Sequence, residues 1–194
     1  QLRLESLRHL NQRPKRRRVL EQPLQLREVA RTQIVVRELH AVRQLCWDYR
    51  AFLVGLGGFD AEVVTLFYPV ERYTQLMEAL DVEHAAPKGS IKLAMHNGKP
   101  VGCGMSHTLS PGTAELKRVF VRDEARGLGA GRDLMQALIA QCRSDGFERI
   151  LLDTSTRLLA ARALYLSLGF VERGPYHNVS DEVRARLVFF ELDL

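Results

Sequence analysis

The chain has 194 residues, of which 46% are hydrophobic and 26% are charged, a composition typical of a globular domain with a substantial core. The net charge of +5 is uneven, because residues 1–31 carry nine Lys or Arg against three Glu and the remainder is nearly neutral. A neutral domain argues against nucleic acid as a partner. We therefore predict a basic extension at residues 1–31 and one domain at residues 32–194.

The cysteines and the apolar runs indicate the cellular setting. Cys46, Cys103 and Cys142 lie far apart and form no CxxC pair, so we interpret them as small buried side chains and expect no metal. Such free cysteines fit a reducing compartment. Because no apolar run has the length of a transmembrane helix or of a secretion signal, we expect a cytoplasmic protein without membrane attachment.

The sequence pattern in the first half of the domain predicts a strand and two helices, followed by three consecutive antiparallel strands. Residues 33–37 predict an opening strand, and residues 38–56 predict a helix that glycines terminate. A loosely ordered stretch is expected up to Pro69, before a helix at residues 71–80. Strands are then predicted at residues 91–96, 101–109 and 114–121, with Asn97-Gly98 as the turn of a hairpin.

The second half alternates between helices and strands. We predict a helix from the glycine-rich turn to about residue 143, a buried strand at 150–152 and a helix at 158–168. Two last strands are expected at 170–171 and 187–192. The predicted fold class is α/β of the α+β type, with a mixed, mostly antiparallel twisted sheet of about six to seven strands flanked by four helices.

A glycine-rich turn, Arg126-Gly127-Leu128-Gly129-Ala130-Gly131, separates the strand at 114–121 from the following helix. Glycine permits sharp turns and close approach of a ligand, and the first N–H groups of a helix attract anions. The turn therefore predicts a phosphate or pyrophosphate site, with Arg126 and Arg132 adding charge. It lacks the GxxxxGK[ST] pattern of a P-loop, and Arg132 replaces the third glycine of a dinucleotide-binding turn.

Two motifs resemble those of the GNAT superfamily of N-acetyltransferases. The turn is similar to the superfamily's pyrophosphate-binding motif at Arg126, Gly129 and Gly131. The later helix resembles the second half of its acyl-CoA site at Ala161, Tyr165 and Gly169-Phe170. The resemblance covers residues 32–194. It implies a GNAT-like acyl-CoA N-acyltransferase fold that uses acetyl-CoA as co-substrate.

The resemblance also implies which residues contact acetyl-CoA. The strand before the turn would place Val119, Phe120 and Val121 beside the pantetheine arm. The turn would hold the pyrophosphate through Arg126, Gly127, Leu128, Gly129, Ala130, Gly131 and Arg132. Many relatives have an Asn where this chain has Leu158, so we expect that contact to be either absent or supplied by Thr154, Ser155 or Thr156.

The same resemblance suggests a catalytic pair. Glu115 is the candidate general base, because a carboxylate whose pKa is raised by burial accepts a proton from an ammonium. Lys117 would lower that pKa unless a bulge separates the two residues, and a structural ion pair is an equally good reading of Glu115. Tyr165 is the candidate general acid, whose phenol would protonate the leaving thiolate.

The expected acceptor is a small-molecule amine or an amino acid. The first helices offer aromatic side chains, with Asp48 and Asp60 as possible partners of an ammonium group, and Tyr176 and His177 could close the pocket. Two alternatives stay open: a coenzyme A-binding module without turnover, and a protein acetyltransferase targeted by the basic run at residues 13–18. We expect a monomer or a homodimer.

Overall fold

The computed structural model of the chain describes residues 24–28 and 36–194. Within these ranges the chain forms one mixed sheet with helices on both faces. The strands are β1 (Gln25–Glu28), β2 (Gly89–His96), β3 (Lys99–Ser110), β4 (Thr113–Val121), β5 (Arg149–Ser155), β6 (Val171–Arg173) and β7 (Leu187–Asp193). The helices are α1 (Val36–Gly55), α2 (Gly58–Phe67), α3 (Val70–Glu78), α4 (Leu80–Glu83), α5 (Ala130–Ser144), α6 (Leu159–Ser167) and α7 (Asp181–Arg184).

The strand order in the sheet is β1-β2-β3-β4-β5-β7-β6. Only β4 and β5 run parallel among these neighbours, and every other pairing is antiparallel. The Asn97-Gly98 hairpin turn is confirmed, since both residues have the positive φ of a type I′ turn, 49° and 74°. The predicted α/β class with a mostly antiparallel sheet is thus confirmed.

Three segments differ from the sequence prediction. The strand expected at residues 33–37 lies outside the described residues except for its last two, which begin α1. Residues 25–28, inside the predicted extension, form the edge strand β1 beside β2. The stretch expected to be loose before Pro69 contains α2, whose Gly58 and β-branched Val63 and Val64 are poor helix formers. Packing of α2 on α1 outweighs this weak intrinsic propensity.

The core divides between the two faces of the sheet. One face, which we call the α1 face, packs β2, β3 and part of β4 against α1, α3 and α4. The opposite face, the α5 face, packs β4, β5 and β7 against α5 and α6. Ala114 and Leu116 belong to the α5-face core, so the intervening Glu115 points to the α1 face. Leu152 likewise places the following Asp153 on the α1 face.

A bulge in β4 and a short parallel pairing open the sheet at its centre. Met105 pairs with Lys117 and Cys103 pairs with Phe120, so Arg118 and Val119 together face Gly104. Arg118 takes the left-handed φ of 52° at this bulge. The parallel pairing of β4 with β5 ends at Glu115 opposite Leu151. Beyond that pair the two strands diverge, and we call the gap between them the β4–β5 cleft.

Candidate active site

A cavity of about 470 Å³ occupies the β4–β5 cleft and is lined from both faces of the sheet. This volume lies in the usual range for small-molecule sites. The α5 face contributes Val119, Leu152, Thr154, Leu158, Ala161 and Tyr165. The α1 face contributes, among others, Tyr49, Arg50, Glu115, Lys117, Arg118 and Asp153. The cavity therefore connects the two sides of the sheet through the cleft.

Glu115 lies at the point where the two strands separate, with 4% of its surface exposed. Its carboxylate is 2.7 Å from His107 Nε2, 2.8 Å from Lys117 Nζ and 2.7 Å from the Tyr176 hydroxyl that donates to it. Burial raises the pKa of Glu115, but these three partners outweigh burial and lower the pKa to about 2. The carboxylate is therefore charged at neutral pH, and the ion pair considered from the sequence is present.

The bulge does not separate Glu115 from Lys117. It lies one residue further on, at Arg118, so β4 alternates regularly from Glu115 to Lys117 and both side chains share the α1 face. This arrangement explains why the two side chains meet at 2.8 Å. His107 faces Glu115 directly from β3, where the two residues are cross-strand partners.

A chain of hydrogen bonds leads from Glu115 across the cleft to the rim of the cavity. The Tyr176 hydroxyl lies 2.7 Å from Glu115 Oε1 and 3.2 Å from Asp153 Oδ2, and His177 Nε2 lies 3.0 Å from the same Asp153 oxygen. Hydrogen bonding to Asp153 raises the pKa of His177. Burial raises the pKa of Tyr176, so this hydroxyl stays protonated and bridges the two carboxylates.

Sequence reasoning missed Asp153. The sequence does contain a sign of it. A strand buried on both faces would continue with an apolar residue after Ile150-Leu151-Leu152, but this chain has an acidic residue there. Tyr176 and His177, considered from the sequence only as a cover for the pocket, line the cavity.

Tyr165 lies on α6 and lines the α5-face wall of the cavity, with 7% of its surface exposed. The rings of Phe170 and Phe190 lie 6.0 and 5.6 Å from its ring and fix its orientation. Burial, followed by the negative charge of Asp153, raises the pKa of Tyr165 to about 12. Its hydroxyl therefore keeps its proton at neutral pH and is available to donate a hydrogen bond.

The glycine-rich turn has the geometry that an anion requires. Gly127 and Gly129 have φ of 79° and 87°, and a Cβ on either would meet no atom within 4 Å. Gly129 is the N-cap of α5, and the Asp133 N–H donates back to its carbonyl at 3.0 Å. The N–H groups of residues 129–132 precede that bond, so they are the free amides of the helix N-terminus. These amides and the open space fit a pyrophosphate group.

The two arginines beside the turn have protein partners of their own. Arg126 lies 2.9 Å from Asp123 and 5.0 Å from the centre of the Phe52 ring, and Arg132 donates to the Ser167 hydroxyl at 2.8 Å. Asp123 offsets part of the charge that Arg126 was expected to add. The turn itself does not line the cavity.

The residues of β4 and β5 that were predicted to contact acetyl-CoA do not all lie in the cavity. Val119 and Thr154 line the cavity, and Leu158 lines it as well. Val121 lies next to the turn, since a Cβ on Gly131 would come within 3.9 Å of its side chain. Phe120 is buried in the α1-face core, so only its backbone can face a ligand on the other side.

The two acidic residues expected to pair with a cationic acceptor, Asp48 and Asp60, each have an arginine partner. Asp48 pairs with Arg122 at 2.6 Å and does not line the cavity. Asp60 lines the cavity, but it accepts a hydrogen bond from Ser155 at 2.6 Å and pairs with Arg157 at 3.3 Å. Both carboxylates are thus neutralised by arginines that the sequence did not connect with them. Four of the aromatic side chains expected here do line it: Tyr49, Phe67, Tyr68 and Tyr73.

Residues 24–28 and 36–194 offer neither a metal-binding cluster nor a membrane-spanning helix. Within them, no group of three or more His, Cys, Asp or Glu side chains is arranged to hold a metal ion. Their helices include none that combines the length and the apolar character needed to cross a bilayer.

The known proteins that this chain resembles are described as acetyltransferases. The model of the acetyltransferase (GNAT) family matches residues 60–170. An uncharacterized N-acetyltransferase of Schizosaccharomyces pombe is 36% identical over 50% of this chain and 60% of its own length, so the chain spans less than two thirds of that relative. The IAA acetyltransferase of Azospirillum brasilense is 32% identical over 59% of this chain and 80% of its own length.

The fold has solved counterparts. The PaiA N-acetyltransferase of Thermoplasma acidophilum, crystallised in complex with coenzyme A, superposes with a TM-score of 0.64 at 11% identity. The superposition covers 89% of this chain and 100% of that one. At this level of identity, the likeness concerns the fold alone.

Proposed function

The chain belongs to the acetyltransferase (GNAT) family and is an acyltransferase, and on this premise we propose that it transfers an acetyl group from acetyl-CoA to a primary amine. The observation that carries the proposal is the cavity in the β4–β5 cleft, which joins the α5 face to Glu115 on the α1 face. The donor approaches from the α5 face, where the glycine-rich turn lies. The acceptor approaches from the α1 face, and the two meet in the cleft.

The free amides at the N-terminus of α5 hold the pyrophosphate of the donor, and the absence of Cβ atoms at Gly127 and Gly129 leaves room for it. Val119 and Ala161 flank the path from the turn into the cleft. Divergence of β4 from β5 leaves backbone groups of β4 unpaired by β5, and these support both the pantetheine arm and the oxyanion. Acetyl-CoA supplies an activated thioester carbonyl.

The acceptor amine must lose a proton before or during attack. Glu115, charged at neutral pH, attracts the ammonium group and accepts its proton, but a carboxyl with a pKa of about 2 cannot keep that proton at neutral pH. The proton therefore moves on in a concerted shift, in which the Tyr176 hydroxyl takes it from Glu115 and passes its own proton to Asp153. His177 enters this step as the neutral tautomer with its proton on Nδ1, so that its unprotonated Nε2 accepts the proton from Asp153. His177 lies at the rim and returns the proton to solvent.

Formation of the C–N bond breaks the C–S bond, and the electron pair leaves on sulfur. Tyr165 donates a hydrogen bond to that sulfur from the α5-face wall. The pKa of Tyr165 is raised to about 12, above the ~8.5 of an ordinary thiol. The phenol therefore stabilises the thiolate through a hydrogen bond and keeps its own proton. The thiolate then takes its proton from water as it leaves.

An acceptor screen that follows release of free thiol from acetyl-CoA tests this function. We expect the wild-type protein to release thiol with at least one class of primary amine. Glu115→Gln should lower kcat/KM by about 100-fold or more, because the acceptor of the ammonium proton is lost. Calorimetry should give nearly the same affinity for acetyl-CoA in both proteins.

Glu71→Gln is the matched control, since Glu71 is exposed on α3 and does not line the cavity. A Glu115→Gln protein with wild-type turnover would eliminate Glu115 as the proton acceptor. Binding of acetyl-CoA without thiol release for any amine would favour the alternative of a binding module.

A further inference from the structure

Two arginines form part of the α1-face wall of the cavity, on the acceptor side. The guanidinium carbon of Arg50 lies 5.9 Å from the centre of the Tyr73 ring, and that of Arg118 lies 6.0 Å from the same centre. Both residues line the cavity and both are half-buried. Two like charges gathered at one aromatic ring repel each other, so the arrangement favours an anion between or beside them.

The protein fixes both side chains. Arg50, on α1, donates from Nε to the carbonyl of Tyr68 at 3.0 Å. Arg118 occupies the β4 bulge with its left-handed φ of 52°, and its Nη1 contacts Met105 Sδ at 3.6 Å. Tyr73 is held by its hydroxyl, which donates to the carbonyl of Cys46 at 2.8 Å. A non-glycine residue kept at a left-handed bulge is a strained feature that positions its side chain.

Neither guanidinium has a carboxylate partner within ion-pair distance among the described residues. The carboxylates of the cavity have partners of their own: Glu115 pairs with Lys117, Asp60 with Arg157, and Asp153 with His177 when that imidazole is protonated. The remaining lining cation, Arg186, is exposed at the edge of the cavity, where water solvates it. A half-buried cation without a counter-charge is costly, and two of them leave an excess of positive charge at the acceptor side.

On the basis of the proposed function, we infer that the acceptor is a small amine that also bears a carboxylate, as an amino acid does. Arg50 and Arg118 bind the carboxylate, while the amino group lies towards Glu115. Guanidinium groups match a carboxylate in shape and charge and bind it through paired hydrogen bonds. Tyr49, Tyr68 and Tyr73 supply the aromatic surface around it.

Arg118 lies three residues after Glu115 on β4 and directly after Lys117, the partner of Glu115, so one of the two carboxylate-binding residues shares this strand with the site of proton transfer. The acceptor side of the cavity is therefore cationic, opposite in sign to the expectation from Asp48 and Asp60. A purely cationic polyamine would be repelled from this wall.

The test compares free L-amino acids with their carboxamides, which keep the amine and lose only the negative charge. Thiol release and calorimetric binding in the presence of coenzyme A are measured for each pair. We expect the best amino acid to have a KM roughly ten-fold or more below that of its carboxamide. In Arg50→Gln this advantage should fall to about two-fold or less.

Arg118→Asn removes the second guanidinium while retaining a residue that tolerates positive φ, and it should have the same effect. Arg72→Gln is the matched control, because Arg72 adjoins Tyr73 on α3 but is exposed and outside the cavity. Carboxamides that are acetylated as well as the acids would overturn the inference and leave acetyl transfer intact. Acids that bind through Arg50 without thiol release would uphold the carboxylate site and refute the proposed transfer. Equal binding of acids and carboxamides, without turnover, would overturn both.

Discussion

The surroundings of Glu115 act on its charge in two opposite ways. It is almost completely buried, which disfavours charge, and three donors surround it, which favours charge more strongly. The consequence is a permanent anion at the centre of the cleft that attracts an ammonium group but does not store its proton. In the proposed relay the hydrogen-bonded route leads from Glu115 to His177, an exposed imidazole whose pKa is raised by its hydrogen bond to Asp153.

The pH dependence of kcat tests the relay. Because hydrogen bonding to Asp153 raises the pKa of His177, the imidazole stays protonated to a higher pH than usual and cannot accept a proton below that pKa. We therefore expect kcat at saturating acceptor to fall as the pH is lowered, with the midpoint above the ordinary value of 6.5.

His177→Gln should remove this limb of the profile and lower the plateau by roughly 10- to 100-fold. His40→Gln, an exposed change on α1, should leave the profile as it is. An unaltered limb in His177→Gln would exclude His177 as the proton's destination.

At the scale of elements, the proposed donor site is the junction of β4, the turn and α5. Gly127 and Gly129 take the left-handed φ that the loop needs before α5, and a Cβ on either would meet open space, beside the first amides of the helix that have no partner within it. Nothing in this arrangement needs a charged side chain. Arg126 and Arg132 add positive potential nearby, while the backbone provides the directed donors.

Gly129→Asp tests the turn. The change places a negative charge at the expected pyrophosphate position, so we expect the Kd for acetyl-CoA in calorimetry to rise by about 100-fold or more. Gly146→Asp is the control, because Gly146 follows α5 with a φ of 82°, close to the 87° of Gly129, and also faces open space. Both variants carry the same backbone strain, and only the first should lose binding. Equal affinities would refute the assignment of the turn.

The elements also show what the sequence could predict. The hairpin at Asn97-Gly98 and the turn at residues 126–131 follow from local backbone chemistry, which short motifs carry reliably. Helix α2 escaped prediction because its stability comes from packing on α1, with Asp60 bonded to Ser155 far along the chain. Glu115 and Tyr165 could be predicted from their resemblance to a motif, and both line the cavity. The Asp153–His177 pair could not be predicted in this way, because it forms only where β5 and the loop after β6 meet.

In the whole molecule, the two faces of the sheet contribute different residues to the β4–β5 cleft and its surroundings. The α5 face provides the turn and Tyr165, and the α1 face provides Glu115, Arg50 and Arg118. The domain boundary predicted at residue 31 stays a prediction, although residues 25–28 of the extension already pair with β2. Our proposal that donor and acceptor arrive from opposite faces requires that both are bound at once when the acetyl group moves.

The kinetic order of the reaction tests this central claim most directly. Direct attack within a ternary complex predicts intersecting double-reciprocal lines when acetyl-CoA and the acceptor are varied together. It also predicts no labelled protein after incubation with radiolabelled acetyl-CoA alone, since the three cysteines are buried and none lines the cavity. Parallel lines, together with a labelled acetyl-enzyme, would contradict the account.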